Sequence, residues 1–393
     1  MKEKLMKMLA SRKNEIIQIR RYLHEHPELS FHEEKTAQFI ADFYRDKDVE
    51  IKRNVGNGFG IVVTITGEKP GKTIALRADF DALPIHEETD VPFKSKNEGI
   101  MHACGHDGHT AYLLVLADCL IQLKSEISGT IKIIHQHAEE VPPGGAKSII
   151  ESGILDDVDA IFGTHLMPTH PAGYVGLRSG YMLAGRTYFK LKIKGTGGHG
   201  SAPHLANDAI VAGSHFIVAT QTIISRRLNP FDMGVITVGS FDGKGTFNVI
   251  KDTVVLECDV RYMTAEIQNL IETEIRRNVR GIEENFGVSC ELTYTADYPP
   301  LYNDPKITED VFLYLQNSND PDIKEVFEYP MLAGSEDFAY YLEKIPGTFF
   351  YIGCKPKGVE NPYFTHSPKF DIDEDALLVA AKSVGQVVCN YLI

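Results

Sequence analysis

Histidine, cysteine and paired carboxylates gather in a few short segments whose spacing suits the holding of metal ions. Met101-His102-Ala103-Cys104-Gly105-His106-Asp107-Gly108-His109 sets a thiol and an imidazole two residues apart in a glycine-containing loop, which could present both to one ion. Asp79 and Asp81 occur in Leu76-Arg77-Ala78-Asp79-Phe80-Asp81-Ala82-Leu83-Pro84, and Glu139 and Glu140 end His135-Gln136-His137-Ala138-Glu139-Glu140. Single histidines follow in Gly163-Thr164-His165 and in Phe364-Thr365-His366-Ser367-Pro368. A hydrolytic metal pair needs nitrogen and oxygen ligands, to which a thiolate can be added, with a position left open for water. Adjacent side chains such as Glu139 and Glu140 point in different directions on an extended or turning segment. One can therefore bind metal while the other takes a proton from water, and crowding in an acidic cleft raises such a base toward the working pH.

Each segment also has an ordinary reading. Asp79 and Asp81 suit a turn, Glu139-Glu140 a solvated pair, and the Cys104 loop a purely structural role. Together, in this order and near strand ends, they point to a metal site. A rival reading makes Cys104 a nucleophile activated by His106 or His109, and leaves Glu139, Glu140 and the distant histidines without a task. Another keeps the metal and makes the protein a binding or resistance factor with little turnover.

The elements that must position these residues follow from hydrophobic pattern. A first helix is expected to run to about residue 24, and a second to start after Ser30, where Ser30-Phe31-His32-Glu33 fits a capping box. Apolar runs at 61–65, 73–78, 130–135 and 160–164 read as strands, with helices at 110–124 and 144–152. Strands without strict alternation, interleaved with helices, predict an α/β domain with a mixed or parallel central sheet. Beyond Tyr181 the texture changes: strand 188–194, helix 208–227, strands 234–240 and 253–262, a helix capped by Thr264 and ended by Gly287, and strand 289–295. That β-α-β-β-α-β order is the ferredoxin-like split unit. A strand at 348–353 and a closing helix at 374–391 return to the first texture, so a small domain (183–295) is expected inside a larger one (1–182 and 296–393).

Bulk numbers agree with a globular enzyme. The chain has 393 residues, 43% hydrophobic and 24% charged, with a net charge of −14 and no basic face of the kind nucleic acid requires. No run of roughly 18 to 20 apolar residues suits a membrane span, and the charged start at residues 1–21 lacks a signal peptide's apolar core; the expectation is a cytoplasmic protein. The six cysteines form no Cys-x-x-Cys pair and are expected to be free thiols.

With those residues in place, the sequence resembles the two-metal peptidases of metallopeptidase family 20, specifically its subfamily D of aminoacylases, thermostable carboxypeptidases, auxin-conjugate hydrolases and deacetylases. The matching segments are Arg21-Tyr22-Leu23-His24-Glu25-His26-Pro27-Glu28-Leu29-Ser30, the Asp79, Cys104 and Glu139 segments above, Gly197-Gly198-His199, Gly334-Ser335-Glu336-Asp337-Phe338 and His366-Ser367-Pro368. The resemblance implies a zinc-peptidase-like α/β catalytic domain with a central mixed sheet and an inserted α+β ferredoxin-like lid that dimerises. It implies Cys104, His106, Glu140, His165 and His366 as ligands of two divalent ions, zinc or manganese, with cobalt or nickel as further candidates. Glu139 would be the general base for a metal-activated water, and Asp79 and Asp81 would orient the ligands. From the lid, His199 would stabilise the oxyanion, and Asn248, Arg261 and Ser335 would contact substrate. The implied substrates are N-acyl amino acids or short peptides, and the implied partner is a second copy of the chain, with higher assembly open. Four positions depart from the family pattern: His137 replaces a proline, Gly200-Ser201 replaces Ala-Ala, and Lys251 replaces a proline.

Overall fold

The computed structural model describes residues 1–392, which divide into two compact units. The first comprises Met1–Met182, Tyr302–Met331 and Asp337–Ile393, the second Leu183–Leu301 and Leu332–Glu336.

The first unit is built on an eight-stranded mixed sheet, in the order Glu50–Val55, Gly60–Thr66, Ser128–Gln136, Lys69–Asp79, Ala160–Pro171, Gly347–Lys355, Tyr174–Leu177 and Glu325–Glu328. The four middle strands, from Ser128–Gln136 to Gly347–Lys355, run parallel. Their carboxyl ends therefore open on one edge, where ligands bind in such sheets. The Asp79 and Glu139 segments follow directly from two of these strands, and His165 lies on a third.

Helix His106–Gln122 packs against the Lys69–Asp79 strand and the helices Lys13–Glu25 and Asp375–Leu392. Its residues from His106 to Ile121 are all buried, which a helix flanked on every side requires. Gly105 caps its start with φ +92°, a left-handed conformation that glycine adopts without steric cost. That turn aims Cys104 and His106 from one loop. The helix begins four residues before the expected Thr110, because His106, Asp107 and His109 carry polar side chains that are buried with the apolar ones.

Two expectations near the amino terminus are corrected. The first helix is two, Lys2–Ser11 and Lys13–Glu25, broken at Arg12, whose side chain reaches Glu15 and Asp118. The capping box is not formed either. Neither Ser30 nor Glu33 caps helix Glu34–Phe43, because Ser30 donates to Asp81 and Glu33 accepts from the backbone of Ala138; Glu28 Oε2 accepts the first-turn N–H of Thr36 instead.

The second unit has the β-α-β-β-α-β order, with strands Gly185–Lys194, Gly234–Asp242, Thr253–Tyr262 and Ser289–Ala296 and helices Ala209–Arg226 and Ala265–Phe286. Its sheet is antiparallel, with Gly234–Asp242 at one edge and Ser289–Ala296 at the other. Alternate residues Val254, Leu256, Cys258, Val260 and Tyr262 face a core that also holds Phe189, Leu191, Phe216 and Ile271. Asp208 and Thr264 cap the two helices through their side chains, and Gly287 ends the second at φ +60°. This unit is longer than the 183–295 span expected. Arg186 N–H donates to the Tyr298 carbonyl, and Ala184 N–H reaches the carbonyls of Leu332 and Gly334.

Candidate metal centre

Cys104, His106, Glu140, His165 and His366 come together in the first unit. Ligand atoms of Cys104, His106 and His165 lie within 4.8 Å of one another, as do those of Cys104, Glu140 and His366. A third overlapping group joins His106, Glu139 and Glu140.

The chemistry of the donor set fits metal ions. His165 Nδ1 donates to its neighbouring Leu166 carbonyl at 2.7 Å, which leaves Nε2 as a lone pair 3.3 Å from Cys104 Sγ. His106 Nδ1 is held by Asp81, 3.0 Å from its carbonyl and 3.1 Å from Oδ1, so Nε2 is the nitrogen left to face the cluster. That Nε2 and Glu140 Oε1 are buried polar atoms with no hydrogen-bond partner. Buried polar atoms normally find partners, and these two lie 3.9 Å apart, an arrangement that suits a shared cation. His366 Nε2 lies 3.2 Å from Glu140 Oε1. His366 itself adopts φ +68°, and its N–H is fixed by the Ala103 carbonyl at 2.7 Å.

The electrostatics point the same way. Burial would lower the pKa of His106, yet Asp79, Asp81 and Glu140 outweigh it and push His106 up to about 10. A site that stabilises positive charge so strongly in a buried place is suited to cations. Burial would raise Asp81, but His106, the Glu140 N–H and Ser30 hold it below the usual carboxylate range. Burial pushes the Cys104 thiol well above its ordinary value, and the carboxylates around it add to that. This is the reverse of an activated nucleophile.

His109 has a different task from its neighbour. Its Nδ1 meets Asp79 Oδ1 at 2.6 Å and its Nε2 accepts the Leu166 N–H at 2.9 Å, so both nitrogens are occupied. Asp79 is also paired with Arg77 at 2.6 Å, and Arg77 reaches Asp337 and Gln136, all fully buried. His137, one of the departures, turns to Asn57 Oδ1 at 2.9 Å and packs edge-on against Phe31.

The remaining expected residues belong to the second unit. His199 is exposed, and its Nδ1 accepts the Ser201 N–H at 3.2 Å and lies 2.7 Å from Ser201 Oγ. The neutral ring therefore carries its proton on Nε2, ready to donate. Asn248 is beside it: the Asn248 carbonyl accepts from Gly200, and Val249 pairs with His199. Arg261 is bonded to Asp259 at 2.8 Å and to Ser335 Oγ at 3.1 Å.

Sequence reasoning passed over three supports. Arg77 with Asp337, the Ser30 and Glu33 contacts, and a buried cluster of Arg20, His24, Glu87 and Asp107 all hold elements in place around the donors. The available signal was charge inside apolar pattern, as in Ile74-Ala75-Leu76-Arg77-Ala78.

Fold and donor set together define a metallohydrolase of the α/β class. The chain belongs to the peptidase family M20/M25/M40, which residues 75–390 match. It is 40% identical over 373 residues to an N-acetyl-L-cysteine deacetylase of Bacillus subtilis, covering 95% of this chain and 87% of that one. A crystal structure from methicillin-resistant Staphylococcus aureus superposes with a TM-score of 0.95 at 55% identity, covering 100% of both chains. The Bacillus subtilis YXEP protein, a dinuclear metal binding peptidase of the M20 family, gives a TM-score of 0.83 at 33% identity, covering 97% of this chain and 99% of that one.

Proposed function

We propose that this protein hydrolyses the amide bond of N-acyl amino acids, with short peptides as a second substrate class, and that Glu139 is its general base. The observation that carries the reading is the placement of Glu139 among the donors, its carboxylate within 4.8 Å of ligand atoms of His106 and Glu140. Two divalent ions held by Cys104, His106, Glu140, His165 and His366, zinc or manganese first and cobalt or nickel next, would polarise the substrate carbonyl and acidify a water molecule. Glu139 takes the proton of the attacking water and passes it to the leaving amine. His199 Nε2–H offers a hydrogen bond to the developing oxyanion. Asn248, Arg261 and Ser335 are assigned to substrate contacts, with Arg261 steadied by Asp259.

The deacetylase relative supports the acyl-amino-acid class, and the dinuclear relative supports two ions. We also assign the second unit as a lid that pairs with a second copy. Its edge strand Gly234–Asp242 exposes Val235 and Phe241, and helix Ala209–Arg226 exposes Val211 and Val218. All six cysteines are free thiols, which supports a cytoplasmic setting, and among the described residues no helix is long and apolar enough to cross a membrane.

Substituting Glu139 with alanine should lower kcat on N-acetyl amino acids by about 10²- to 10⁴-fold while metal content stays unchanged. Turnover near the wild-type rate in that variant would remove Glu139 from the role of base.

A further inference from the structure

The adjacent carboxylates Glu139 and Glu140 sit on a turn whose shape is unusual for its residues. Ala138, immediately before them, has φ +50°, a conformation that residues with a side chain rarely adopt. Something must hold it there. The Ala138 N–H is bound by Glu33 Oε1 at 2.8 Å, and the Ala138 carbonyl accepts from Gly145 at 3.1 Å. On the far side of the pair, the Glu140 N–H donates to Asp81 Oδ2 at 3.0 Å, and the same oxygen accepts from Ser30 Oγ at 2.7 Å.

The turn at residues 30–33 thus reaches both sides of the pair: Glu33 binds Ala138 directly, and Ser30 holds the Asp81 oxygen that binds Glu140. That turn is itself in an unusual shape, with Phe31 at φ +66° and its ring edge-on against His137. Glu33 is fully buried and 105 positions away from Ala138 in sequence, and its Oε2 has no hydrogen-bond partner. A buried carboxyl with one oxygen unsatisfied is costly for a residue that could simply cap a helix. Its carboxyl takes backbone N–H groups of its own turn, at Phe31 and Glu33, and one distant one, Ala138, which fixes the backbone ahead of the base.

We propose that the 30–33 turn is a clamp on the catalytic segment and that Glu33 is a positioning residue for Glu139, acting through the Ala138 backbone. This rests on the assignment of Glu139 as the base. The clamp sets the direction from which Glu139 approaches the attacking water. Glu33 bonds the Ala138 backbone and none of the five proposed donors, so its loss should affect the chemical step and leave metal binding in place. Burial pushes Glu33 up to about 8, so near neutral pH it carries a proton and glutamine reproduces its shape and its acceptor oxygen.

The test compares wild type, Glu33→Ala, Glu33→Gln and Glu139→Ala for kcat, KM, metal per chain and melting temperature on an N-acetyl amino acid. Glu33→Ala should lose about 10- to 100-fold in kcat, since small misplacements of reacting groups have effects of that order. KM and metal content should stay within about twofold, and Glu33→Gln should remain within about threefold of wild type in kcat. Wild-type kcat in Glu33→Ala overturns the proposal. So does a Glu33→Gln as impaired as Glu33→Ala, or a kcat loss that follows metal loss. If Glu33→Ala does not fold, Ser30→Ala takes its place: a kcat loss of about 3- to 10-fold supports the clamp and an unchanged kcat overturns it. Glu139→Ala separates the two layers. An active Glu139→Ala removes the base and the clamp together, whereas an inactive one beside a fully active Glu33→Ala removes the clamp alone.

Discussion

Asp79 and Asp81 are two residues apart and hold different histidines, and the difference sorts donors from supports. Asp81 takes Nδ1 of His106 and frees Nε2, whereas Asp79 takes Nδ1 of His109, whose Nε2 is already given to Leu166. The sequence showed both aspartates near a strand end; it could not show which histidine each would meet, because that depends on the pitch of the helix beginning at His106. Asp81→Ala should weaken metal binding by about 10- to 100-fold, the usual loss when a ligand-orienting carboxylate goes, and competition with a chelator would measure it. Unchanged affinity would show that His106 is held by packing alone. Glu33 gives a second test at this scale. Its ordinary value of 4.5 is raised to about 8 in the folded chain by burial, so the folded state keeps a proton that the unfolded state releases. The resulting stabilisation is fully present below pH 4.5 and is lost as pH rises through about 8. Glu33→Gln does not titrate there. Its melting temperature should match wild type near pH 4.5 and exceed it by several degrees near pH 9, and a flat difference would contradict the assigned environment.

Local pattern located most elements but not the ends that do the chemistry. Strand Thr253–Tyr262 and its following cap at Thr264 could be read residue by residue, because a half-buried strand alternates and a cap bonds its own backbone. The start of helix His106–Gln122 and the role of Ser30 and Glu33 could not, because their partners lie far away in sequence. A serine followed three residues later by a glutamate is a capping signal only when nothing stronger competes. Here the backbone of Ala138 and the carboxylate of Asp81 compete and win. Gly105 tests the link from element to site. A Cβ there would have space, with its nearest neighbour at 3.4 Å, but φ +92° would strain any other residue. Gly105→Ala should therefore cost about 1–2 kcal/mol of stability, read by denaturant unfolding, and lower metal affinity by moving Cys104 and His106 together. Loss of stability with metal affinity intact would separate the turn from the site.

Across the whole chain, the change of texture near Tyr181 was legible because an alternating strand differs from a buried one. The return was harder to place: residues 332–336 join the second unit through backbone bonds to Ala184 and the Arg261–Ser335 contact, which no local pattern announces. The proposed pairing of second units gives a test of assembly. Val218→Glu, a charge on the exposed apolar side of helix Ala209–Arg226, should convert a dimer to monomer in light scattering without lowering the melting temperature of the monomer by more than a few degrees. A monomeric wild type, or a variant that stays dimeric, would place the interface elsewhere. The central claim is tested most directly by metal content of the purified protein together with hydrolysis of an N-acetyl amino acid panel before and after chelation. The account predicts about two metal ions per chain, turnover lost on chelation and restored by adding a divalent metal. Turnover that persists in metal-free protein would contradict it.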